Sequence, residues 1–93
     1  MTFWEARFFF SQGPIQDDGK LRLDDVEIVS ARVSDRSDEA LRNYIGRVVG
    51  EDPALLEMTK THDISVDVGV HKDSGGLGAS HFEERILLYR ATP

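Results

Sequence analysis

From Asp63 to His71 the chain alternates without a break. Ile64, Val66, Val68 and Val70 are apolar, and Asp63, Ser65, Asp67, Gly69 and His71 stand between them. Successive side chains of an extended strand leave on opposite faces, so this segment has one apolar face and one wet face. Such a strand belongs to an antiparallel sheet covered on one side. The rest of the chain must therefore supply neighbouring strands and a cover.

The neighbours are legible to different degrees. Phe3 to Ser11 reads as a strand whose even face, Trp4, Ala6, Phe8 and Phe10, is apolar and whose odd face, Phe3, Glu5, Arg7 and Phe9, is mixed. Gly13-Pro14 ends it, because proline has no donor for a ladder. Between Lys20 and Val33 the apolar parity changes twice, which implies a bulge or break near Asp24-Asp25, or two short strands. His81 to Ala91 completes the sheet, after a nine-residue loop from Lys72 to Ser80 that holds three glycines and is expected to be mobile.

The cover is helical. Ser37 is placed to cap a helix whose first turn holds Asp38 and Glu39, where the dipole favours carboxylates. Ala40, Leu41, Tyr44, Ile45, Val48 and Val49 form one apolar stripe, and Gly50 offers a left-handed stop. Asp52-Pro53 then opens a short second helix to about Met58. The expected fold is a two-layer α+β domain in β-β-α-β-β order, with about four mostly antiparallel strands and one main helix.

Ninety-three residues, 40% apolar and 30% charged, suit one globular domain spanning 1–93. Cysteine is absent, which removes disulfides, thiolate metal sites and cysteine nucleophiles, and leans toward a cytoplasmic location. The N-terminal residues do not read as a signal peptide and no apolar run reaches membrane length, so no membrane partner is expected. Seventeen Asp and Glu against 11 Lys and Arg give a formal charge of -6. That sign disfavours generic nucleic-acid binding and suits either a basic partner surface or simple solubility.

Several groupings bear on function. If His71 faces His81 across the hairpin, these two with Asp73 or Glu83 would suit a zinc, nickel or copper ion; the plainer reading is two exposed histidines. In the same register Asp67 faces Arg85, and Glu84 points to the helix side opposite Val68, either as a buried acid or at the margin paired to an arginine. Gly75-Gly76-Leu77-Gly78 lacks the Gly-Lys-Ser/Thr ending of a phosphate loop. Asp17-Asp18 and Asp24-Asp25 lack the ligand spacing of a calcium loop. Arg36, Arg42, Asn43 and Arg47 read as a solvated helix face. Phe3, Arg7 and Phe9, with Leu87 and Tyr89, would form an apolar area on the sheet face away from the helix. That area is either an interface or covered by the segment from Gly13 to Leu23.

These signals favour a non-catalytic protein-interaction domain without cofactor. A small acidic inhibitor of the immunity, antitoxin or phage anti-defence type, occluding a partner surface, is its concrete form. The alternative is a homo-oligomeric structural or small-ligand-binding protein, such as a homodimer through the sheet face. A third is a small metal-dependent enzyme using His71 and His81.

Overall fold

The computed structural model describes residues 3–12, 25–74 and 77–92, and the side chains of all but 71–74 and 77–81 among them. Four strands, β1 (Trp4–Ser11), β2 (Val26–Val33), β3 (Asp63–Ser74) and β4 (Leu77–Tyr89), form one sheet in the order β2-β1-β3-β4. All three pairings are antiparallel. Helices α1 (Asp38–Gly50) and α2 (Pro53–Met58) lie between β2 and β3 in the chain, which gives the expected α+β class. Among the described residues no helix is long and apolar enough to cross a membrane.

The core forms where the two periodicities meet. Phe8 of β1 lies opposite Val66 of β3, and Ala6 opposite Val68, so the apolar faces of the central strands are continuous. Leu41, Ile45 and Val49 recur at four-residue spacing on α1 and are buried against that surface. Tyr44 stacks on Phe8 with ring centroids 5.5 Å apart. The approach to the helix is set locally. Asp35 accepts a hydrogen bond from the Ser37 backbone N–H at 2.9 Å, and Ser37 Oγ accepts one from Ala40 N–H at 3.2 Å. The Ser37 N–H holds the Asp35 carboxyl below its usual range.

Three boundaries differ from the sequence reading. Gly50 lies within α1, and the cap is Glu51 in a right-handed conformation (φ -89°, ψ -5°), not a left-handed glycine. Asp52 follows at once and caps α2 by accepting from Ala54 and Leu55, so the chain passes between helices without reversing its twist. The irregularity of β2 lies at Ile28, where Phe8 pairs with Val29 but Phe9 with Glu27. Asp25 precedes the strand, and Asp24 lies outside the described residues. Most of the expected loop from Lys72 to Ser80 is strand, since the ladder continues to the pair Ser74 and Leu77. Backbone pairing needs no apolar side chain, and a two-residue Gly-Gly link is a favoured hairpin connection that the sequence does contain.

Candidate functional site

The face of the sheet away from α1 was the expected interface, and its centre is closed. Phe9 is buried, as are Ser11, Ser65 and Asp67. Arg85 of β4 is the organising group. Its Nε and Nη2 donate to the two carboxylate oxygens of Asp67 at 2.6 and 3.0 Å, and Nη1 donates to Asp25 Oδ2 at 3.1 Å. The three side chains are exposed by only 3%, 7% and 0%. The hydrogen bonds from Asp67, ahead of those from Asp25, hold the Arg85 guanidinium above its ordinary value. Arg85 also lies over the Phe9 ring, 5.1 Å from its centroid.

Asp25 stands beside β2, at one edge of the sheet, whereas Arg85 is on β4 at the other. Three strand spacings amount to about 14 Å. The contact therefore requires Asp25 to reach over the far face. Cover by residues 13–23 lies outside the described residues, as do the Asp17-Asp18 pair and Gly75-Gly76.

The five expected interface residues do not share one surface. Phe3 is exposed and Leu87 half-buried, while Phe9 is buried. Arg7 is held between Glu27, at 3.1 Å, and the Phe82 ring, 5.0 Å from its centroid. Tyr89 lies on the other face, where its hydroxyl donates to the Arg42 carbonyl of α1 at 3.3 Å. The cause is a bulge. Ser65 pairs with Leu87 but Ile64 with Tyr89, so one extra residue in β4 reverses the side on which Tyr89 emerges.

A second bulge, at Glu83, acts on the histidines. Val68 pairs with Glu84 but Gly69 with Phe82, which puts His81 opposite Val70 and His71 opposite Ser80. The direct His71–His81 opposition assumed for a metal site is displaced by one residue. Their side chains lie outside the described residues. The same bulge turns Phe82 to the far face, where Gly69, its ladder partner, has no side chain to stand between it and Arg7. Asp67 opposite Arg85 and Glu84 opposite Val68 are as expected. Glu84 is not a buried acid: it is 55% exposed at the sheet margin, 3.4 Å from Arg36.

The open apolar site lies on the helix side, where α1, α2 and the ends of β3 and β4 leave a cleft of about 310 Å³. Val49 and Ile64 come from the core to form its base, and Gly46 opens α1 toward it. Leu56 of α2 and Tyr89 of β4 are its walls, exposed by 46% and 40%. Thr59, His62, Arg90 and Thr92 complete the lining. The Thr92 N–H donates to the Thr59 carbonyl at 3.0 Å, fixing the chain after β4 against the end of α2. His62 packs its ring edge on Phe10 and meets Thr61 Oγ1 through Nδ1 at 2.8 Å.

The sequence reading missed this cleft because its parts come from four elements with no shared motif. Alternation along β4 points Tyr89 to the opposite face. Leu56 could have been noticed as an apolar residue on a helix too short to bury both sides. The geometry offers apolar contact bordered by donors, which suits holding a group in place. No protein-family model matches this chain, and no curated protein or solved structure does either.

Proposed function

We propose that the chain is a non-catalytic protein-interaction domain that receives an apolar side chain of a partner in the cleft between α1, α2 and β4. The carrying observation is that Leu56 and Tyr89, two of the four exposed large hydrophobic residues among the described ones, face one open cleft with a core-derived base. Clustered exposed apolar walls are characteristic of binding grooves, whereas scattered ones are ordinary surface. The net charge of -6 adds long-range attraction for a basic partner, as in a small acidic inhibitor that occludes its target.

The test compares two exposed positions on opposite sides of the sheet. Leu56→Asp should abolish capture of the partner from native-host extract, whereas Phe3→Asp should leave it intact. Both residues are exposed, so both variants should keep the wild-type melting temperature. Capture lost with Phe3→Asp but kept with Leu56→Asp would move the interface to the margin of β1. Concentration-dependent dimerisation that Leu56→Asp abolishes would mean that the partner is a second copy of the chain.

A further inference from the structure

We infer that the group this cleft accepts is the C-terminal residue of a partner chain, an apolar side chain beside a free carboxylate. The inference rests on the reading of the cleft as a binding site and adds the chemistry of what enters.

Charge is the first reason. The protein carries 17 acidic residues against 11 basic ones, yet no carboxylate lines the cleft among the described residues. Arg90 and His62 stand there instead. Most other described arginines are engaged: Arg7 with Glu27, Arg32 with Glu5, Arg36 with Glu84, and Arg85 with Asp25 and Asp67. Arg90 has no such ion pair among the described residues and is exposed at the rim. Behind the Tyr89 wall Arg42, its guanidinium 5.7 Å from the ring centroid, shares its surface with Asp38 and Glu39 and adds no net positive charge. In an acidic protein, an apolar cleft lined by no acid and with a guanidinium at its rim is complementary to an anion there. A guanidinium is well matched to a carboxylate, which it can hold with two parallel hydrogen bonds.

Enclosure is the second reason. Pockets that hold free small molecules bury most of the ligand surface. Here both walls are themselves well exposed and the volume, about 310 Å³, is at the small end of such pockets. A lone small molecule would keep much of its surface in water. A terminal residue tethered to a partner needs only its side chain covered and its carboxylate met, which is a recurring mode of peptide recognition. Apolar side chain against Val49, Ile64 and Leu56, carboxylate against Arg90: the two halves of the ligand match the two halves of the site.

The test uses the full chain and an acetylated Gly-Ser-Gly-Ser-Phe peptide, as free acid and as C-terminal amide, titrated by NMR. The acid should shift the amide signals of residues around Val49, Leu56 and Arg90, and bind at least about tenfold more tightly than the amide. Arg90→Gln should lower the acid to the affinity of the amide without changing the amide itself, and Leu56→Asp should abolish both. Equal affinity of acid and amide would overturn the inference while leaving the cleft as a binding site. Shifts in neither titration would overturn the inference too, and persistent capture by Leu56→Asp would separately sink the reading beneath it. Hydrocinnamate, with the same ring and carboxylate but no peptide, should bind more weakly than the peptide acid; equal binding would reassign the site to small carboxylates.

Discussion

Phe8 and Phe9 are neighbours on β1 with exposures of 0% and 2%, and they leave the strand on opposite faces. Phe8 enters a continuous apolar layer and stacks on Tyr44 of α1. Phe9 lies beneath a guanidinium held by two carboxylates. Apolar contact is non-directional, so the helix layer needs only volume and complementary shape. The far face depends on directed hydrogen bonds among desolvated charges, where each group is costly without its partners. One side of the sheet is fastened by area and the other by pairing. The Leu56–Tyr89 cleft lies at the end of the apolar side.

Substitutions on the two faces bear on this contrast. Phe8→Ala should have the largest effect, about 3–5 kcal/mol, by leaving a cavity in the helix-side core. Guanidinium denaturation would show it as a lowered midpoint, and a loss under about 1 kcal/mol would mean that the core readily collapses around the gap.

Arg85→Ala should cost almost as much, since it removes the guanidinium from a buried ion pair with Asp67 and Asp25, and breaking such a pair costs about 3–5 kcal/mol. Glu84→Gln, one position earlier but at the exposed margin, should cost under about 0.5 kcal/mol. Replacing Asp25, Asp67 and Arg85 together by Leu, Leu and Met removes the desolvation cost with the pairing, and should restore most of the stability lost in Arg85→Ala. The pH dependence follows from the raised Arg85 value. A base with a raised folded value contributes its full stability below the unfolded value and loses it only above, so the Arg85→Ala penalty should be constant from about pH 6 to 10. A penalty that changed within that range would show that groups other than the Arg85 guanidinium titrate differently once it is removed.

Ser65→Ala should have the smallest effect and the opposite sign. Its hydroxyl is fully buried on the far face without a hydrogen-bond partner. Removing it should be neutral or stabilise by up to about 1 kcal/mol in thermal melts. A clear loss would show that the far face tolerates less change than its pairing chemistry implies.

Legibility in the sequence followed the same division. The strict alternation of Ile64 to Val70 placed β3 and its faces correctly, and the stripe from Leu41 to Val49 with its Ser37 cap placed α1. Asp67 opposite Arg85 follows from setting His71 opposite His81, and the pairing holds although that premise does not, because the bulge at Glu83 adds one residue between the two positions. Ile86, Leu87, Leu88 and Tyr89 are all apolar or aromatic, so that run carries no parity, and the bulge that sends Tyr89 to the helix side left no mark in the pattern. Glu83-Glu84 hides the second bulge in the same way, and with it the displacement of His71 from His81 and the turn of Phe82 to the far face.

The class of fold, the main helix and the alternating strand are encoded locally, because each follows from the periodicity of one stretch of chain. Which surface stays open is set by the assembled layers. Bulges shift a strand by one residue at little local cost, and every side chain beyond them changes face. Asp25 joins Arg85 from 60 residues away, and the cleft combines α1, α2, β3 and β4. Such meetings depend on how the layers stack, which no single stretch of the chain encodes.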